Sequence, residues 1–346
     1  MPEETDAELL HDTLLRAAGW LPDDVLAAVR GLVAEGEIHE AAAALVFAAI
    51  RTAVPFTHED ADLLAVLLSD SGISPDWLDE IAEAADGVEP GWYFRDAPAE
   101  GRLDADGSAL IAAVAGGELV GVLAEEPGVR GVWEAWRAAP VDVAYPPPRP
   151  VYVVEVADPA GCAGLTGRLQ DLLVAAGDRA PQIEVVSLSH DVPVYQQAAR
   201  ARGKLLWAPE AEGEISVARV FDVVDPESGP GFDPGHPEIE AGDERARLLA
   251  YLDAGQEVLV TTALMDDVVD PERGKAVPMS FRTDGVWVWT DSVGYYLREH
   301  GLAPDPDLWR HIAAAEGLPS RPDTVTLGRV MGKLAPGARQ PAWSMS

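Results

Sequence analysis

The sequence predicts an α+β/α/β protein: an all-helical N-terminal domain followed by a mixed-sheet domain that opens β-α-β-α-β and closes on a hairpin and a helix. Three observations predict it. Residues 5–88 carry apolar side chains at helical spacing. Residues 139–150 hold five prolines. Beyond them, short β-branched runs alternate with helical segments. The expected divisions are a helical domain over 1–138, a proline-rich linker over 139–150, an α/β domain over 151–316 and a basic C-terminal tail over 317–346.

Pro22, Asp23 and Asp24 open a helix in which Val25, Leu26, Val29, Leu32 and Val33 form one apolar stripe ending at Gly36. The segment His39–Thr52 is Ala-rich and apolar nearly all round, which predicts the buried helix of the set. Thr57 stands three residues before Asp60, a capping-box pattern, ahead of the run Leu63 to Leu68. Pro75 follows Ser74 at the first turn of another helix. Residues 108–137 read either as further helices or as a hairpin about Gly116 and Gly117, and their alanine content favours helix.

Prolines cannot continue a helix or a central strand, so Pro146–Pro148 predicts a stiff spacer. Strands are then expected over 151–156, 183–188 and 204–207, with helices over 165–176 and 194–202 between them, implying a locally parallel sheet. A strand over 215–224, a loop over 227–238, a helix over 245–254 and a strand over 257–264 follow. The strongest local signal lies at 277–300. Thr283, Asp284 and Gly285 join two strands, and a helix capped at Asp291 or Ser292 comes next. Val286 and Val288 face one side of that sheet, Trp287 and Trp289 the other. Asp222–Gly229 recurs almost unchanged as Asp267–Gly274, which reads as one turn used twice.

The chain has 346 residues and a formal net charge of −34. Residues 1–150 hold 29 acids and eight bases. Such a surface repels phosphates and anionic lipid, so direct nucleic-acid and membrane binding are not expected. The segment from Ser320 reverses sign, with Arg321, Arg329, Lys333 and Arg339 against Asp323, and is expected to dock on its own chain or a second copy. Cys162 is the only cysteine, which excludes an intrachain disulfide and thiolate-rich metal sites. The acidic N-terminus lacks the basic flank of a signal peptide. The apolar runs 41–50 and 109–124 fall short of the ~20 residues that span a bilayer. A cytoplasmic location is expected.

Chemistry-bearing patterns are sparse, and no cofactor is expected. Gly161, Gly164 and Gly167 follow a strand but have the wrong spacing for a dinucleotide fingerprint, and Asp191 is the one candidate ribose contact. The seven histidines form no metal-binding pair. Asp266, Asp267 and Asp270, with Glu272, crowd one loop. They are the only weak metal candidates, against the reading of a solvated acidic turn. Asp104, Asp106 and Gly107 resemble part of a calcium loop, but its first and last ligand positions are Arg102 and Ala113. Arg200, Arg202 and Lys204 form a basic cluster at a helix C-terminus.

Asp284, Trp287, Trp289 and Tyr296 remain, a turn acid among aromatics of the kind that anchor interfaces or fill cores. The expectation is a non-enzymatic, acidic protein that binds a basic protein partner through these residues, as an immunity protein, antitoxin or assembly factor would. One alternative is a small-molecule or nucleotide enzyme using His190, Asp191 and the 266–272 acids. Another is a DNA mimic.

Overall fold

The computed structural model describes residues 5–52, 54–81, 91–95, 108–139, 148–210, 213–227 and 229–335. Most of the expected linker, the calcium-like residues 104–107 and the tail beyond 335 lie outside them. The fold is α+β, with helices first and sheet-containing regions after. The chain divides into two compact units, Met1–Pro209 and Glu210–Ser346. The division therefore falls after Pro209, not within the proline-rich segment.

The N-terminal unit begins with α1 (Asp6–Ala17), α2 (Asp23–Glu35), α3 (Ile38–Ala49) and α4 (His58–Asp70), then a 3-10 turn at Pro75–Glu80. Thr5 with Glu8 and Thr57 with Asp60 form complete capping boxes. Gly36 ends α2 in the left-handed region at φ 85°. β1 (Tyr93–Arg95), α5 (Ser108–Leu123), β2 (Val129–Ala138), β3 (Arg149–Val156), α6 (Cys162–Ala175), β4 (Ile183–Ser187), α7 (Val194–Arg202) and β5 (Lys204–Trp207) follow. Residues 108–137 are thus one helix and one strand.

β2 is the reason the unit does not end near residue 138. It pairs antiparallel with β3 along nearly its whole length, from Val129 with Val156 to Arg137 with Arg149. Its other side carries both β1 and β5. β3 and β4 are parallel, joined through α6 as expected of a β-α-β unit, whereas β5 crosses to the far side of β2. One sheet face buries Val132, Tyr152, Val154, Ile183 and Val185 against Leu119 and Leu123 of α5 and Leu165, Leu169 and Leu173 of α6. α2 approaches α6 so closely that a Cβ on Gly167 would lie 2.4 Å from that of Ala34.

The C-terminal unit holds β6 (Ser216–Val217), β7 (Val223–Asp225), β8 (Gly229–Gly231), α8 (Asp243–Ala254), β9 (Gln256–Leu259), β10 (Leu264–Asp266), β11 (Lys275–Pro278), β12 (Phe281–Thr283), β13 (Trp287–Thr290), α9 (Asp291–His300), α10 (Pro306–Ala314) and α11 (Thr324–Leu334). Its main sheet runs β6-β13-β12-β9, and β7–β8 and β10–β11 are separate hairpins. The hairpin about Asp284 and Gly285 forms as the sequence predicts, with Gly285 at φ 95°. α9 has Thr290 at its cap position, one residue earlier than expected and without a side-chain cap bond, while Asp291 accepts from Arg282 Nε at 2.7 Å. The basic segment after Ser320 is helical through Leu334, and Lys333 reaches Glu214 at 2.9 Å within the same unit.

Trp289 lies under α8, its indole nitrogen donating to Leu252 O at 3.2 Å. A Cβ on Gly255 would stand 2.3 Å from that ring. Gly255→Ala is therefore expected to lower stability by about 1–3 kcal/mol through overpacking, read as a shift of the urea midpoint at constant slope.

Candidate functional site

The residues expected to bind a partner lie inside the C-terminal unit. Asp284 Oδ1 accepts from the amides of Val286 and Trp287 at 2.9 and 2.7 Å; Oδ2 accepts from Tyr251 Oη at 2.8 Å and His311 Nε2 at 2.6 Å. This carboxylate fastens the hairpin to α8 and α10. Burial, and then the carboxylate beside it, pushes the Tyr251 hydroxyl well above its usual range. Trp289 and Tyr296 are core residues at 1% and 2% exposure, and Trp287 is half-buried beside the His311 ring. Trp289 packs under α8 and Tyr296 packs against Phe221, Phe232 and Val277, so both rings sit in the core rather than on an exposed face.

The acidic loop has an internal role too. Asp267 Oδ2 accepts from His300 Nε2 at 2.7 Å and Tyr295 Oη at 2.9 Å, while Oδ1 accepts from the amides of Val269 and Asp270. Burial works to raise its carboxyl, but these four donors outweigh burial and hold it down to about 2. Asp270 pairs with Arg273, and Asp266 stands opposite Lys275. Among the described residues no three of His, Cys, Asp and Glu are placed to hold a metal ion. The repeated motif now has a shared physical use. Its first aspartate, Asp222 or Asp267, is bonded to a histidine, His236 or His300.

In the N-terminal unit His190 Nδ1 meets Asp12 Oδ2 at 2.6 Å beside the end of β4, while Asp191 is exposed. Cys162 is buried, which with Asp12, Glu8 and Asp158 nearby pushes its thiol up to about 12. Gly161 serves as the N-cap of α6 at φ 84°. Arg200 of the basic cluster donates to the buried Glu155 at 2.6 Å. Sequence reasoning missed a group of buried charges. Glu184 accepts from Arg30 and from Gln196, each at 2.7 Å, with Arg30 and Glu184 at 1% and 0% side-chain exposure. An acid inside the apolar run of β4 was the available signal.

The surface of α1–α4 and the following turn is different. Residues 5–80 hold fifteen acids and three bases. Two of those bases are consumed internally, Arg16 on Asp60 and Arg30 on Glu184. Within this anionic surface stand a large exposed phenylalanine and tryptophan. Phe47 of α3 is 66% exposed and lies against Trp77, their ring centroids 6.2 Å apart. The expectation that α3 is buried all round holds for Ala41, Leu45, Val46 and Ala49 but fails at Phe47. Asp76 adjoins Trp77 and Glu40 shares the Phe47 face two turns away, while the third base of the segment, exposed Arg51, follows Phe47 by four residues. On α4 the exposed Val66 sits one turn from both Asp62 and Asp70. Exposed aromatics within a predominantly acidic surface can anchor an apolar contact and steer an oppositely charged ligand.

No protein-family model, curated protein or solved structure matches this chain. Among the described residues no helix is long and apolar enough to cross a membrane.

Proposed function

We propose that this protein works by contact, holding a basic protein partner on the acidic helical face of its N-terminal unit, with Phe47 and Trp77 as anchors. The pairing of those two exposed rings within a segment of fifteen acids and three bases carries the reading. Tryptophan and other aromatics are enriched at binding hot spots, while one-signed charge raises association rates and makes them salt-dependent. The proposal moves the contact from the turn at Asp284 to a different unit.

The test is capture from the native host at low salt with wild-type protein and with Phe47→Ala/Trp77→Ala. A basic protein is expected in stoichiometric amount, released at high salt. The double variant should weaken its binding by about 2–4 kcal/mol, measured by calorimetry on the recovered partner. Circular dichroism should be unchanged, since Phe47 is exposed. Recovery of no stoichiometric partner, or equal binding by the double variant, removes the proposal.

A further inference from the structure

β9, the outer strand of the main sheet in the C-terminal unit, runs into an exposed link to β10. Residues 259–264, Leu-Val-Thr-Thr-Ala-Leu, are six consecutive exposed positions, with Leu259, Val260 and Leu264 at 44%, 67% and 47%. They include no charge and no proline. Among the described residues β9 pairs only with β12 and β10 only with β11. The stretch between the two strands is anchored from its inner side, where Thr261 N donates to Ser280 Oγ at 3.1 Å and Ser280 Oγ donates to Thr261 O at 3.2 Å. Protein sheet edges are usually guarded by lysine, proline, a bulge that turns them away or a covering element. β9 carries one such bulge, opposite Phe281 and Arg282, but residues 259–264 hold no lysine or proline and present exposed β-branched and apolar residues, a template for an added strand.

Charge selects what the edge can take. Glu257 stands exposed at one end, its partner Arg282 shared with Asp291. Asp266 is exposed at the other. A second copy paired antiparallel about Thr261 and Thr262 would set Glu257 of each chain against Asp266 of the other, and like charges directly opposite are unfavourable. Residues 210–346 hold 24 acids and 12 bases, which adds to that repulsion. We propose that the 259–264 edge accepts, as an added outer strand, an extended segment of a partner protein in which alternating apolar residues are flanked by lysine or arginine. This rests on the contact reading above and gives it a second surface and a second kind of recognition: backbone pairing for affinity, flanking charge for selection.

The test uses the full chain and a labelled synthetic peptide, Lys-Lys-Val-Thr-Val-Thr-Val-Lys-Lys, at low salt. Binding is expected to slow hydrogen exchange at 259–264 and to weaken as salt rises. Val260→Lys, which adds a like charge at an exposed position, should weaken it roughly tenfold; Thr262→Lys serves as the second variant. A glutamate-flanked peptide should not bind. Of two peptides N-methylated at alternate residues, the one whose methyls face the edge should fail. Protection elsewhere than 259–264, unchanged binding by both lysine variants, or full binding by both methylated peptides overturns the proposal. So does a dimer in sedimentation that Val260→Lys abolishes, because the occupant would then be a second copy. The Phe47→Ala/Trp77→Ala protein should bind this peptide like wild type, so loss of either surface is read separately from the other.

Discussion

Replacing Arg30 with methionine is expected to destabilise the N-terminal unit by about 3–5 kcal/mol, the usual result of stranding a buried charge. Its guanidinium meets Glu184 at 2.7 Å with both side chains at or below 1% exposure. Gln196 is the other donor to that carboxylate and also holds Leu15 O at 2.8 Å. Removing Arg30 leaves the anion with one neutral donor in an interior that solvates it poorly. The pair is also imperfectly satisfied: among the described residues, Arg30 Nε and Nη1 and Glu184 Oε1 are buried without a hydrogen-bond partner. Arg30→Met together with Glu184→Leu should therefore recover most of the loss, since it removes two desolvated charges at once. Hydrogen exchange of the β4 amides in the intact chain reads both variants. A single variant as stable as wild type would show that water reaches the pair.

The second large effect is acid lability of the same unit. His11 is buried on α1 and its Nε2 donates to Val185 O at 2.8 Å, on the outer strand of the sheet. Burial, and then the nearby Arg30 cation, pushes the imidazole down to about 4, against the Val185 bond, which favours the proton. Folding thus requires the neutral ring, whereas the unfolded chain takes a proton near pH 6.5. A depressed folded value means that this stability is complete above pH 6.5 and drains away as pH falls toward 4, by about 3 kcal/mol in all. Exchange protection of β4 should fall over that window, and His11→Gln should flatten the dependence. An unchanged slope in His11→Gln would place the acid sensitivity elsewhere.

What the sequence reveals here is what short-range chemistry determines. The hairpin at 281–290 is legible because Asp284 and Gly285 permit one tight turn between alternating residues. The start of α4 is legible because Thr57 and Asp60 satisfy each other's end groups. The boundary near residue 138 misleads for the complementary reason. Prolines forbid regular structure locally, but say nothing of whether the strands on either side pair, and β2 and β3 do. The candidate surface is harder still to read. Trp289 and Phe47 are both large apolar residues in apolar surroundings. Only the placement of α8 over one, and the absence of such a cover among the described residues over the other, sends them to opposite fates. Gly255 is likewise silent in the sequence, because its need to be glycine comes from a ring brought in by a distant strand.

The order in which the chain is made gives the Arg30–Glu184 pairing a consequence in time. The two residues are 154 positions apart, and His11 waits 174 positions for Val185. At translation rates of about 5–20 residues per second, α2 emerges roughly 8–30 seconds before the strand that neutralises its guanidinium. β5, which completes the sheet along β2, arrives later still. During that interval the nascent helices hold an unmatched cation and an unfilled apolar side, the form in which ribosome-associated chaperones would meet this protein.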